Sequence, residues 1–105
     1  MAFKGIVSNG STVEARFSSD TSNGGSASLL IGLGPLGGGA QADFAIIAPG
    51  GSDSVKADAS TPGLLRVFVD VAEDDDTGML EVTVDGARQD RETVSGDTTW
   101  TYSVE

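Results

Sequence analysis

The feature that most constrains this chain is an alternation of apolar and polar residues that recurs along the sequence between clusters of turn-forming residues. Successive side chains of a β-strand point to opposite faces of the sheet, so this period of two predicts strands with one buried face. The segment LLRVFVDVA shows it best, because Leu65, Val67 and Val69 share one face. Its other face carries Leu64 and Phe68, so we expect that face to be partly covered as well.

The same period in other segments predicts about eight short strands in total, and no segment offers an apolar stripe at the helical period. We therefore predict an all-β fold: a single antiparallel β-sandwich, immunoglobulin-like or jelly-roll, that forms one domain over residues 1–105. The order of the strands stays open. The residues expected to face the core include Ala27, Leu29, Ile31, Phe44, Ile46, Val55, Ala57, Leu65, Val67, Val69, Leu80, Val82, Trp100, Tyr102 and Val104.

Three dipeptides indicate tight turns: Asn9-Gly10, Asn23-Gly24 and Asp85-Gly86. Both central residues of a type I′ hairpin turn need positive φ, which Asn, Asp and Gly adopt most readily. The first dipeptide predicts a hairpin between the strands that flank it, with Ile6 opposite Val13 on the inward face. The third dipeptide predicts a turn into the polar segment ARQDRET, for which we predict no strand.

The charge balance excludes several classes of partner. Sixteen acidic residues against six basic ones give a net charge of −10, and the chain has neither His nor Cys. Nucleic acid needs cations against its phosphates and anionic lipid attracts basic segments, so we expect neither nucleic-acid nor membrane binding. No apolar run is long enough to span a bilayer and the N-terminus lacks a signal-peptide core, which predicts a soluble protein made in the cytoplasm.

The segment GLGPLG satisfies the G-x-G-x-x-G pattern of dinucleotide-binding loops, and Asp53 lies about twenty residues beyond it. In that motif the glycines precede a helix whose N-terminus binds the pyrophosphate. Here Ala42, Phe44, Ile46 and Ala48 follow a period of two, which predicts a strand in place of the helix. We therefore interpret the glycines as a loop between two strands and expect no nucleotide site.

The acidic turn EDDDTG has two interpretations. Carboxylates on a flexible loop suit Ca²⁺, which makes Asp74, Asp75 and Asp76 the candidate metal ligands. Alternatively, the charges keep two strong strands from pairing with neighbouring molecules. The triplet Asp76-Thr77-Gly78 also resembles the signature of aspartic proteases, but two preceding aspartates predict a solvated turn rather than a pair of carboxylates that share a proton.

Without His or Cys the chain lacks the usual general base and thiolate nucleophile, so we predict no enzymatic activity. Trp100 and Tyr102 share a strand face, which suits either the core or a stacking platform for a carbohydrate. Leu33 and Leu36 belong to the glycine-rich loop LGPLGGGA and are candidate contacts to a protein partner.

These observations predict a structural or interaction module, an accessory component of a larger assembly such as a virion or tail, that binds a protein partner or self-assembles. The alternative is a carbohydrate- or calcium-binding module that uses Asp74, Asp75, Asp76 and Trp100. We expect no cofactor other than Ca²⁺ in that second case.

Overall fold

The computed structural model describes residues 2–20, 25–34, 40–59 and 63–105. No helix in this part of the chain is long and apolar enough to cross a membrane. The all-β class is confirmed. The described residues form nine strands: β1 (Ala2–Val7), β2 (Thr12–Ser19), β3 (Ala27–Gly34), β4 (Ala40–Ile47), β5 (Ser52–Asp58), β6 (Gly63–Asp70), β7 (Thr77–Val84), β8 (Ala87–Ser95) and β9 (Thr98–Val104).

The strands form two open sheets. The five-stranded sheet has the order β1-β9-β6-β3-β4, and the four-stranded sheet has the order β5-β2-β7-β8. Neighbouring strands run antiparallel, except that β1 runs parallel to β9. The fully antiparallel arrangement expected from the sequence is therefore wrong at this one pair.

One hydrophobic core lies between the two sheets and takes side chains from both. Alternate residues of each central strand point into it, because side chains of a strand leave opposite faces of its sheet. Apart from Ile6, which is 60% exposed, and the residues on β4, the inward-facing residues predicted above are confirmed: Ala27, Leu29, Ile31, Val55, Ala57, Leu65, Val67, Val69, Leu80, Val82, Trp100, Tyr102 and Val104 are all buried.

The hairpin predicted at Asn9-Gly10 is wrong, because β1 and β2 lie in different sheets. A type I′ turn needs positive φ at both central residues. Gly10 has a φ of 98°, whereas Asp85 is the one described non-glycine residue with positive φ. The backbone N–H groups of this turn bond other strands instead: Asn9 donates to the Glu105 carbonyl at 2.8 Å and Gly10 to the Ala59 carbonyl at 2.6 Å. The turn thus carries the chain from one sheet to the other.

The orientation of β4 also differs from the prediction. Phe44 and Ile46 were expected to face the core, yet they are 52% and 59% exposed, and Ile47 is the buried residue. The pairing of β4 with β3 shifts between Ile31 and Gly32, whose partners are Asp43 and Gln41. An extra residue in one strand moves the following side chains to the other face of the sheet. This bulge explains the reversal.

The turn at Asp85-Gly86 is confirmed and leads into β8, a strand that the sequence did not predict. Asp85 and Gly86 have φ values of 51° and 86°, as a two-residue hairpin loop requires. β8 is a mostly exposed edge strand, so it lacks the apolar alternation that marks a half-buried strand. It contacts the other sheet through polar groups: the Tyr102 hydroxyl donates to Asp90 at 2.8 Å, and Lys4 of β1 pairs with Glu92.

Candidate interaction face

The aromatic and leucine candidates lie in or against the core wherever the structure describes them. Trp100 and Tyr102 are 2% and 0% exposed, so neither ring offers a free face for a sugar. The Lys4 ammonium lies 4.4 Å from the centre of the Trp100 ring and covers it from the sheet edge. Leu33 is half-buried and packs against the core. Leu36 lies outside the described residues.

The acidic turn is held in place by hydrogen bonds between Asp76 and backbone N–H groups. Asp74 and Asp75 are exposed, whereas Asp76 is buried. The Asp76 carboxylate accepts a hydrogen bond from the Glu73 N–H at 3.2 Å, and its carbonyl accepts one from the Gly96 N–H at 3.0 Å. Among the residues that the structure describes, no group of three or more His, Cys, Asp or Glu side chains is arranged to hold a metal ion.

The glycine of the triplet Asp76-Thr77-Gly78 serves packing. A Cβ atom at Gly78 would lie 2.4 Å from Cζ of Phe17 and 2.6 Å from the Ser18 carbonyl oxygen. Only a residue without a side chain fits there, because carbon atoms in contact are normally separated by about 3.5 Å or more. The triplet therefore combines a turn cap, Asp76, with a glycine that lies against the Phe17 ring.

The surface that stands out is the side of the five-stranded sheet that faces away from the core. We call it the outer face; its apolar residues are Phe3, Ile6, Leu30, Phe44, Ile46, Leu64 and Phe68. Within residues 2–20, 25–34, 40–59 and 63–105, four large apolar residues are exposed, and all belong to it: Phe3 (64%), Ile6 (60%), Phe44 and Ile46. They lie on β1 and β4, the two edge strands of this sheet.

Register connects these residues across the sheet. Leu30 of β3 is paired with Phe44 on one side and Phe68 on the other, and Phe68 is paired with Thr99 of β9. Directly paired residues of adjacent strands have side chains in contact range on the same face. Phe44, Leu30 and Phe68 therefore form a continuous apolar row over three strands.

The outer face also differs from the rest of the molecule in charge. Among the described strand residues on this face, Arg66 and Asp70 are the only charged ones, although the chain as a whole carries −10. The solvent side of the four-stranded sheet is the opposite case, with ion pairs at 3.7 Å between Lys56 and Glu14 and at 3.6 Å between Arg88 and Glu81. One side of the molecule is charged, and the other is apolar and close to neutral.

Two polar features modify this face. Thr101 is only 4% exposed, and within the described part of the chain its hydroxyl has no hydrogen-bond partner. Its register partners are Phe3 and Arg66, whose side chains leave the same face. At one end of the sheet, repulsion from the Asp97 carboxylate raises the pKa of Asp70 above its ordinary value. Two like charges therefore lie next to each other at the rim of an apolar surface.

A shallow concavity on the four-stranded sheet is a weaker candidate. Thr12, Glu14, Lys56, Thr83, Asp85 and Gly86 line it. Its polar groups are already bonded to one another: Glu14 forms an ion pair with Lys56, and Asp85 accepts a hydrogen bond from the Thr12 N–H at 2.9 Å. Such groups would have to give up those partners to bind a ligand.

Comparisons of the chain with known protein families, with curated proteins and with solved structures find no match. The outer face was missed because Ile6, Phe44 and Ile46 were assigned to the core. One signal did indicate it. Leu64 and Phe68 alternate with the inward-facing residues of β6, and an apolar residue on both faces of one strand indicates a sheet covered on both sides.

Proposed function

We propose that this protein is a non-enzymatic structural and interaction module that binds a protein partner through the outer face, as an accessory component of a larger assembly such as a virion or tail. One observation carries the proposal: among the residues that the structure describes, every large apolar side chain left exposed lies on that face. Contiguous exposed apolar surface on a soluble protein marks an interaction site, whereas single exposed apolar residues are common and need no explanation.

The edges of the sheets favour recognition by the face over strand addition. An edge strand can pair with another chain unless charges, bulges or covering groups prevent it. β8 carries Arg88, Arg91 and Glu92 on an exposed edge, and the pairings of β1 and β4 are irregular. The backbone N–H of Lys56 on β5 is covered by the Asp43 carboxylate at 3.1 Å.

We infer that the sandwich is immunoglobulin-like in its five-stranded sheet. The succession β9-β6-β3-β4 corresponds to the G-F-C-C′ sheet of variable-type domains. The hairpin of β7 and β8, which pairs with β2 in the other sheet, lies in sequence between β6 and β9 and departs from that pattern.

The test uses a neutral solvatochromic dye, because a charged probe would respond to the net charge of the chain. Dilute protein should bind the dye with a fluorescence increase. The double substitution Phe44→Ser/Ile46→Ser should abolish most of that increase without lowering the melting temperature appreciably, since both side chains are more than half exposed.

The matched control is Met79→Ser, which removes a half-buried apolar side chain from the solvent side of the four-stranded sheet. It should leave dye binding unchanged. Dye fluorescence that is absent in the native chain, or that is equal in the native chain and the Phe44→Ser/Ile46→Ser variant, would contradict the proposal.

A further inference from the structure

We propose that the partner of the outer face is a second copy of this chain, bound as a symmetric dimer whose two-fold axis runs along the row of Phe44, Leu30 and Phe68. The inference rests on the proposed function, since it names the occupant of the same surface. It follows from the order of residues on β6, where Arg66 and Asp70 lie at equal distances on either side of Phe68, so that the face is complementary to a rotated copy of itself.

The pattern is clearest on β6. Arg66 and Asp70 lie on the outer face two residues before and two residues after Phe68, which is roughly 7 Å on either side at the rise of a β-strand. A two-fold axis that lies in the interface and crosses β6 at Phe68 reverses the direction of the strand. It therefore places each Arg66 opposite the partner's Asp70 and each Phe68 opposite its own copy.

On the neighbouring strand, β3, small residues lie at equal distances on either side of Leu30. Ser28 and Gly32 of β3 lie two residues on either side of Leu30, and their register partners on β6 are Asp70 and Arg66. The same rotation places Ser28 opposite the partner's Gly32. Small residues on both sides allow two sheets to approach to the usual distance of about 10 Å between packed sheets.

The size of the face is adequate for a stable dimer. Five strands spaced by about 4.8 Å and about 25 Å long cover a projected area of roughly 600 Å². The accessible surface of such a face is larger than its projection, and a standard interface buries about 800 Å² on each partner. The outer face alone therefore supplies most of what one protomer must contribute.

Charge selects this face for self-association. Two copies that each carry −10 repel each other, and the repulsion is least where the strand residues contribute one Arg and one Asp. The dimer also places the partner's guanidinium against the two neighbouring carboxylates of Asp70 and Asp97, and this reduces their mutual repulsion.

The experiment is light scattering of the full chain over a range of protein concentrations, in roughly 0.3 M salt so that long-range repulsion is screened. Native protein should form a discrete dimer. Arg66→Asp and Asp70→Arg should each weaken it by roughly 100-fold or more, because each creates two like-charge contacts across the interface. The double reversal Arg66→Asp/Asp70→Arg should dimerise again, and the two single variants should form a heterodimer when mixed.

Phe44→Asp provides an independent variant whose fold is not in question, because Phe44 is half exposed on an edge strand. It should abolish the dimer, since Phe44 meets its own copy on the axis, whereas Thr83→Asp on the four-stranded sheet should not. A dimer that survives both single charge reversals or Phe44→Asp would overturn the proposed geometry.

A chain that stays monomeric at all concentrations would overturn the self-docking inference. If that monomer binds the neutral dye through Phe44 and Ile46, the proposed function stands and the partner is a different protein. If it binds no dye, both proposals fail.

Discussion

Replacing Gly78 by alanine tests the core packing on which the two-sheet fold depends. The added Cβ would lie 2.4 Å from Cζ of Phe17, 2.6 Å from its Cε1 and 2.6 Å from the Ser18 carbonyl oxygen. Separations of about 3.5 Å or more are needed, so the ring or the strand must move by roughly 1 Å. Phe17 is 1% exposed, so its ring cannot shift without displacing other side chains of a close-packed core.

Overpacking of a well-filled core costs about 1–3 kcal/mol. The upper part of that range applies, because one of the contacts is with the backbone. Replacing glycine also restricts the unfolded chain and returns about 0.5–1 kcal/mol. The net loss in free energy of unfolding is about 2 kcal/mol, which lowers the melting temperature of a domain of this size by roughly 10 °C.

Urea and thermal denaturation followed by circular dichroism would measure this loss. The companion variant is Phe17→Leu, whose side chain lacks the Cζ and Cε1 atoms that the new methyl group would meet. Gly78→Ala should cost less in the Phe17→Leu background than in the native chain. An unchanged or raised melting temperature for Gly78→Ala would show that Phe17 does not pack against Gly78.

Three further predictions concern buried polar groups and the acidic turn. Burial raises the pKa of Tyr102 above its ordinary value of 10.0, and the hydrogen bond to Asp90 adds to this effect. As the pH rises, the unfolded chain therefore loses the Tyr102 proton before the folded chain does. The free energy of unfolding should consequently fall above pH 10, by up to about 1.4 kcal/mol per pH unit. Tyr102→Phe should remove that component of the fall in urea titrations, and an identical alkaline profile would contradict the assignment. Thr101→Val should raise the melting temperature, by about 4–8 °C for each kcal/mol gained, because it removes a buried hydroxyl that has no partner among the described residues; a lower value would mean that the hydroxyl is bonded. Millimolar Ca²⁺ should leave the melting temperature unchanged, since the Asp76 carboxylate already caps its own turn, and a ligand-dependent rise would contradict this.

The sequence predicted the strands that carry the core well. In β6, β7 and β9 the alternation is set by burial on one face, and the structure buries the residues that the period selects. The strand that replaces the helix expected after a G-x-G-x-x-G loop was also predicted from its period, and β4 covers Ala40–Ile47. The period of two is a reliable guide in these strands because shifting a strand by one residue would turn its entire apolar face toward solvent.

The edge strands could not be predicted in the same way. β4 contains four apolar residues in succession, Phe44 to Ile47, so the period alone does not say which alternate pair faces inward, and the bulge decides it. The pairing of β1 depends on β9, almost the whole chain length away, and a local turn signal at Asn9-Gly10 contains no information about that contact. The exposed apolar residues of the outer face that the structure describes all come from these two strands, which is why the candidate site emerged only from the structure.

Residue-level footprinting of the dilute chain by hydroxyl radicals and mass spectrometry tests the central claim directly, because labelling follows side-chain exposure. We predict rapid modification of Phe3, Phe44 and Ile46, and protection of Trp100 and Tyr102 although their rings are intrinsically reactive. With increasing protein concentration, protection should extend to Phe44 and Ile46 while Met79 stays accessible. Protected Phe44 and Ile46 in the dilute monomer would place these side chains in the core and contradict the account.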